Sequence, residues 1–366
     1  MPAGALEDPR FTYGYFIEEV ETRVGPQRHR VGIMQTFPWL GVLAARTDAA
    51  AAAARAAQQR YEAGKLELFE RTKHGFYEYA YLARAIEIAE ANLELLTFFE
   101  QVAQARYRAS AGRHPDVLRA QIELATLEEH TTALREMRGP VVAGLNAILN
   151  RPGEGMLPWP VREDRPLISA SAVRLTEDLT RGNPELKALR FEIAAARSRE
   201  ALAGKRYWPN VSLGLDWIVT DEARMPGTRG SGRDPIVAMV SLNLPLWTDS
   251  YRAQEDQARR QVRGVRREME QKAYDLAAEA AEAAYDLADS RRKAELYREV
   301  LIPKAREMVE ASEEAYRAGG VDFLSLIDAQ RKQLMYELAY ERAVTSHFQQ
   351  LARLERLLGR EIQDME

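Results

Sequence analysis

The segment Tyr316-Arg-Ala-Gly-Gly-Val-Asp-Phe-Leu-Ser-Leu-Ile-Asp-Ala-Gln330 contains the end of one helix, a short turn and the beginning of a second helix. Gly319 and Gly320 can adopt the positive φ that a tight turn between helices requires. The same landmarks occur 209 residues earlier, where Tyr107-Arg-Ala is followed by Ala120-Gln121. The sequence therefore predicts two helical turns that are related by an internal repeat.

The repeat extends over most of the 366 residues. Further matching residues lie at nearly constant offsets, between 200 and 209 positions. These pairs are Pro9 with Pro209, Pro38 with Pro245, Leu149 with Leu358, and Arg151 with Arg360. Because self-similarity at a fixed offset indicates a duplicated structural unit, each half is predicted to contain a β-hairpin, a long helix, a tight turn and a shorter helix.

Strong helix formers and the positions of proline set the bounds of these elements. Proline is absent between Val42 and Arg108, which predicts a helix far longer than the usual ~11–12 residues. The first repeat is 1–151, with a β-hairpin over about 11–37, a long helix over about 42–108 and a shorter helix over about 116–150. A linker over 152–170 leads to the second repeat, 171–360, with a helix over about 171–206, a β-hairpin over about 211–247, a long helix over about 251–318 and a shorter helix over about 322–359.

The predicted strands show an alternation of apolar and polar residues. In 211–220, Leu213, Leu215 and Trp217 alternate with Ser212, Gly214 and Asp216. Strands of about ten residues fit a hairpin in water, and they also fit a membrane-spanning β-strand of ~9–11 residues. The pattern alone leaves both interpretations open.

The second repeat has one element more than the first. Its leading helix ends at Ala203-Gly204, which corresponds to Ala3-Gly4 at the start of the chain. We therefore expect that a helix of roughly 35 residues is missing before the first repeat, together with any leader. The opening residues 1–8 have neither a basic nor an apolar signal region, so no signal peptide is present in this chain.

Composition excludes several classes of function. The formal net charge of −4 gives no basic surface for nucleic acid. The absence of cysteine excludes thiol catalysis, cysteine-ligated metals and disulfides. The five histidines are far apart and show no ligand spacing, which favours surface or packing roles over metal binding. No enzyme chemistry, cofactor site or metal site is predicted, and composition by itself would indicate a soluble cytoplasmic protein.

The order of elements resembles the TolC family of bacterial outer-membrane efflux proteins, over nearly the whole chain from about Ala3 to Arg360. Its most specific motif is the segment from Tyr316 to Gln330, which is similar to the family's Tyr-x-x-Gly…Leu-x-x-Leu-x-Asp-Ala-Gln turn. Gln35-Thr-Phe-Pro-Trp-Leu-Gly41 resembles the family's strand-to-helix junction, in a Pro-Trp form similar to the metal-cation efflux branch.

This resemblance implies a mainly α fold with a membrane β-barrel part. Each protomer would give four β-strands to one barrel and long helices to an α-helical coiled-coil barrel, and the assembly would be a homotrimer. The trimer would lie in the bacterial outer membrane with a periplasmic extension. An inner-membrane pump and a periplasmic adaptor would deliver substrate, and the chain itself would be no enzyme. The alternative is a soluble or periplasmic coiled-coil scaffold or adaptor protein without channel activity.

The resemblance also implies three groups of site residues. The pore gate would comprise Asp328, Ser325, Asp322, Tyr316 and Asp116. The adaptor-docking tips would comprise Ala111, Gly112, Gly319, Gly320, Val321, Phe323 and Leu324. The aromatics at the membrane interface would be Tyr13, Tyr15, Trp39, Trp208, Trp217 and Trp247.

Each group has a purely structural alternative. Asp328 would form a ring of three carboxylates in a trimer, able to attract cations, but an Asp near a helix start can also stabilise the helix dipole. Ser325 and Val321 stand where the family's archetype has an acidic residue and an arginine, so Asp116 and Asp322 are candidates for replacement charge. Apolar residues of the tips can simply pack the turns, and the aromatics can be ordinary core residues at helix–strand junctions.

Overall fold

A computed structural model describes residues 3–161, 166–168 and 175–362. The four strands are β1 (Arg10–Thr22), β2 (Gly25–Phe37), β3 (Val211–Thr220) and β4 (Ile236–Leu242). The helices are α1 (Val42–Arg108), α2 (His114–Glu136), α3 (Arg138–Ile148), α4 (Leu175–Gly182), α5 (Pro184–Gly204), α6 (Thr248–Leu296), α7 (Ile302–Ala318) and α8 (Phe323–Leu358). Parts of the predicted linker (162–165 and 169–170) and the start of the predicted helix at 171–174 lie outside the described residues.

The chain divides into two compact units, and each is described by itself. The first unit comprises 1–60 and 185–272, and it contains the sheet. The second unit comprises 61–184 and 273–366, and it contains both helical turns. The prediction of a mainly helical protein with four strands is confirmed.

All four strands form one antiparallel sheet in the order β1-β2-β3-β4. The central pairing, β2 with β3, joins the first repeat to the second, with Phe37 opposite Val211 and Val31 opposite Trp217. In β1 the register shifts between Tyr15 and Val20, so a bulge lies near the hairpin end.

The two faces of the sheet have different chemistry because successive side chains point to opposite sides. One face, which we call the apolar face, exposes large apolar side chains on every strand. Its members are Phe11, Ile33, Leu213, Leu215, Val240 and Leu242. On the opposite face, Arg30 donates to Asp216, and the carboxylate lies so close to Gly32 that an added Cβ would be 2.1 Å from its Oδ1.

Three of the predicted helical segments, 116–150, 171–206 and 251–318, contain an interruption in the structure. The first breaks between α2 and α3 and the second between α4 and α5. In the third, a π-helical turn at Tyr297–Leu301 separates α6 from α7. A proline follows each interruption within three residues: Pro140, Pro184 and Pro303. Proline has no N–H to donate but fits the first turn of a helix, which explains why a new helix begins at each place.

The second unit contains one fully buried histidine. His347 donates from Nδ1 to Leu287 O at 3.2 Å and accepts at Nε2 from the N–H of Ile168 at 3.1 Å. Burial lowers the pKa of His347 below its ordinary value. The neutral ring thus joins α6, α8 and the segment 166–168.

Candidate functional site

The first turn, residues 109–113, connects α1 to α2. Ser110 adopts a left-handed conformation with φ of 59°, and the N–H of Ala111 donates to Arg106 O at 2.9 Å. At Gly112 an added Cβ would lie 3.0–3.2 Å from atoms of Arg106 and Tyr107, so the turn passes closely over the end of α1.

The second turn, residues 319–322, connects α7 to α8. Gly319 has φ of 80°, and it lies 209 residues after Ser110, so the left-handed residue is at the same place in both repeats. The N–H of Gly320 donates to Ala315 O at 2.8 Å, which satisfies a carbonyl at the end of α7. We call the two segments together the paired turns.

Asp322 caps the start of α8. Its Oδ1 accepts from the hydroxyl of Ser325 at 2.7 Å and from the N–H of Ser325 at 3.0 Å. These hydrogen bonds hold the pKa of Asp322 below its usual value, and the bond from the Ser325 hydroxyl has the larger effect. The positive charges of Arg113 and Arg119 lower the same pKa further. Ser325 and Asp322 therefore form a helix cap that is also stabilised by Arg113 of the first turn and Arg119 of α2.

One core joins the helices on both sides of the paired turns. Phe323 is completely buried and meets the ring of Tyr316 edge-on at 5.3 Å between centroids. Phe323 thus offers no surface, and the prediction that its side chain contacts an adaptor is wrong: it packs the turn. Leu96, Phe99, Val117 and Leu326 are among the other members of this core.

Two predicted gate residues are also buried. Tyr316 is 3% exposed and Asp116 is 4% exposed, so neither presents a surface on this chain. Neither the Tyr316 hydroxyl nor Asp116 Oδ1 has a hydrogen-bond partner within the described part of the chain. Burial raises the pKa of Tyr316, and the charge of Asp116 raises it further. Asp116 forms ion pairs with Arg113 at 3.6 Å and Arg119 at 4.0 Å.

Asp328 lies apart from this group. It is exposed, and its carboxylate binds Lys332 at 2.8 Å, one turn further along α8. Of the predicted gate residues, the structure therefore brings Tyr316 and Asp116 together and places Asp322 near the same arginines, while Asp328 forms a local ion pair.

The surface beside the paired turns is partly apolar. Val321 and Leu324 are 37% and 49% exposed, as a docking contact requires. Two further exposed residues, Leu118 and Ile122 on α2, were missed by the sequence reasoning. Their spacing of four residues on a helix that carries polar neighbours was the available signal.

The six predicted interface aromatics lie in the first unit. Tyr13 and Trp217 stand in one row across the sheet, both opposite Val31, and Tyr15 lies on the same face. Trp39 stacks on Trp208 at 4.8 Å, next to the strand ends Phe37 and Val211. The members Tyr13, Tyr15, Trp208, Trp217 and Trp247 are all exposed, and Trp39 is half-buried.

The family model for outer membrane efflux proteins matches residues 29–151 and 175–360. The chain belongs to this family. It is thus a channel-forming efflux duct of the outer membrane, and the family is not one of enzymes.

Several known proteins are similar to this chain at low sequence identity. The cobalt-zinc-cadmium resistance protein CzcC of Cupriavidus metallidurans is 22% identical over 341 residues, which are 87% of this chain and 74% of CzcC. The outer-membrane channel OprN has a TM-score of 0.81 at 20% identity, covering 96% of this chain and 81% of OprN. The outer membrane protein VceC of Vibrio cholerae has a TM-score of 0.80 at 16% identity, covering 99% and 89%.

None of the helices in 3–161 and 175–362 is both long and apolar enough to cross a membrane. Within the same described ranges, no three His, Asp or Glu side chains are grouped so that they could hold a metal ion.

Proposed function

We propose that three copies of this chain assemble into one duct, which passes substrate from an inner-membrane pump and a periplasmic adaptor to the outside of the cell. The chain supplies a passive path, without a cofactor or a catalytic step. The observation that carries the proposal is the sheet: it is open, and it exposes its apolar face.

The edges of the sheet support assembly with other copies. In the described part of the chain, β1 and β4 pair with a neighbour on one side only. Unpaired backbone groups at such edges cannot be left in lipid, and four strands are too few to close by themselves. Three copies supply enough strands for a closed β-barrel, so the trimer is the form that inserts.

The exposed side chains support contact with outer-membrane lipid. Leu215 and Val240, on the apolar face, are 54% and 70% exposed. The opposite face carries the Arg30–Asp216 ion pair, as expected for a wall between lipid and a water-filled lumen. The exposure of Tyr13, Tyr15, Trp208, Trp217 and Trp247 favours interfacial aromatics over core aromatics. Trp39, which stacks on Trp208, belongs to the same group of interfacial aromatics.

The paired turns are the proposed gate and docking site. Val321, Leu324, Leu118 and Ile122 offer an apolar surface to a helical hairpin of the adaptor. Ala111, Gly112, Gly319 and Gly320 shape the turns that present this surface. Threefold symmetry repeats Asp328 and Asp322 as rings of carboxylates, which attract cations. Tyr316 and Asp116 support the gate from the buried core, and Ser325 supports it by its hydrogen bonds to Asp322.

Divalent metal cations are the first substrate class to assay. The relative CzcC is named for resistance to cobalt, zinc and cadmium. Carboxylate rings at the gate suit positively charged cargo.

The proposal is tested by extraction and by conductance. The protein should leave membranes only in detergent, migrate as a trimer and conduct ions in planar bilayers. A monodisperse monomer without detergent would instead establish the scaffold alternative.

Two neighbouring lysine substitutions on β4 give a matched comparison. Val240→Lys places a charge on the apolar face and should destabilise the inserted trimer by about 2–4 kcal/mol near the bilayer midplane. Ser241→Lys places the same charge on the opposite face and should be tolerated. Equal yields of inserted trimer from both variants contradict lipid contact of the apolar face.

A further inference from the structure

We infer that Arg106 is a positioning residue that clasps the end of α7 to the first turn, and that this clasp restrains opening of the duct. The inference rests on the proposed function, because it assigns a regulatory residue to the same gate. Arg106 lies in the last turn of α1, in the first repeat, and its acceptors include backbone atoms of the second repeat.

The guanidinium bridges the two turns through main-chain carbonyls. Nη1 donates to Tyr316 O and to Arg317 O, the latter at 2.6 Å, and Nη2 donates to Ala111 O at 3.1 Å. The guanidinium carbon also lies 4.8 Å from the centre of the Tyr316 ring. One side chain thus holds its own turn and the end of the facing hairpin at once.

The acceptors make this contact favourable. Tyr316 O and Arg317 O belong to the last turn of α7, which ends at Ala318. Carbonyls at a helix C-terminus have no partner further along the helix, and they carry the negative end of the helix dipole. The half-buried guanidinium of Arg106 therefore finds charge-assisted hydrogen bonds there without a carboxylate.

The clasp is asymmetric between the two repeats. The residue equivalent to Arg106, 209 positions later, is Ala315, so α7 has no matching cation to return to the first turn. Removing Arg106 takes the side-chain donor from Tyr316 O and Arg317 O, of which Tyr316 O keeps the N–H of Gly319, and leaves the apolar core to hold the hairpins together. The hairpins then separate more easily, and the duct opens more often.

The test compares Arg106→Ala and Arg106→Lys with Arg108→Ala. Arg108 is the matched control, because it is two residues away on the same helix and donates to Gln104 of that helix. The first readout is the open probability of single channels in planar bilayers. The second is hydrogen exchange at the amides of Gly319 and Gly320, which donate to Tyr316 O and Ala315 O.

We expect Arg106→Ala to accelerate exchange at these amides by about tenfold or more, as the loss of hydrogen bonds to a charged group implies. Its open probability should rise several-fold in parallel. Arg106→Lys keeps the positive charge but lacks the planar guanidinium that donates to several carbonyls at once. Its exchange rate and open probability should lie between those of Arg106→Ala and the wild type. Arg108→Ala should match the wild type in both readouts.

The outcomes are distinguishable. If the wild type forms no conducting trimer, the proposed function fails. If the wild type conducts and the Arg106 variants behave like Arg108→Ala, the clasp is refuted. Faster exchange with an unchanged open probability refutes the regulatory role. If Arg106→Ala does not assemble, Arg106→Lys decides by the same criteria.

Discussion

Two leucines at the start of α8 separate packing from docking at the paired turns. Leu326 is completely buried in the core that joins the two hairpins, whereas Leu324 is 49% exposed. Replacing a fully buried leucine by alanine costs about 2–5 kcal/mol, because transfer and cavity terms add. Full burial of a leucine side chain contributes ~1.5–3 kcal/mol, and at the half-exposed Leu324 the alanine substitution loses only about half of this free energy and forms no enclosed cavity. We therefore expect Leu326→Ala to destabilise the hairpin by about 2 kcal/mol more than Leu324→Ala.

Hydrogen exchange of α8 amides in the assembled protein measures this difference, because local opening sets the exchange rate. A difference of about 2 kcal/mol corresponds to roughly 30-fold in the equilibrium constant for opening. The Leu324→Ala variant should bind the isolated adaptor more weakly than the wild type does, while its hydrogen exchange stays nearly normal. Equal exchange rates in the two variants, or unchanged adaptor binding by Leu324→Ala, would refute this division of roles.

Two further predictions concern pH and sheet packing. His347 is neutral in the folded protein, where its Nε2 accepts from the N–H of Ile168. Below about pH 6.5 the unfolded chain therefore binds one proton more than the folded chain. The free energy of unfolding should fall as the pH drops through about 6.5 and level off below the lowered pKa of His347. Denaturation from pH 7.5 to 5.5 measures this slope, and a His347→Gln variant that keeps the same slope would exclude His347 as its source. Gly32→Ala should destabilise the sheet by about 1–3 kcal/mol, because the new Cβ displaces Asp216. Thermal melting of the trimer should show this loss, with Gly14→Ala, whose nearest contact is 3.9 Å away, as the control.

Much of the fold was predictable because its signals are local or repeated. Alternation marks the strands, and the repeated Tyr-Arg-Ala segments mark the turns. The prolines at the helix interruptions were also visible, but whether a proline breaks, kinks or merely begins a helix depends on the packing around it. Hence the break before Pro140 required the structure. Pro303 by itself indicates an interruption of the long helix, but the π-helical form of the turn before it did not follow from the sequence.

The candidate site was less predictable, because burial decides its chemistry. Tyr316, Asp116 and Phe323 were assigned to surfaces from sequence similarity, yet they lie inside the core between the hairpins. The ion pair of Asp328 was readable, since Lys332 follows it by one helical turn. Arg106 was not, because its acceptors are main-chain carbonyls, which carry no side-chain signature.

The pairing of β2 with β3 has a consequence for the order of folding. The β1–β2 and β3–β4 pairs are local hairpins, closed by the connections 23–24 and 221–235. A β-hairpin forms within ~1–10 μs. The Arg30–Asp216 contact between the repeats instead spans 186 residues of chain. Loop-closure entropy must be overcome before such a distant contact forms, which makes it slow. During synthesis the first hairpin therefore waits with an exposed inner edge until β3 has been made, and that interval is when the nascent chain most needs protection from aggregation.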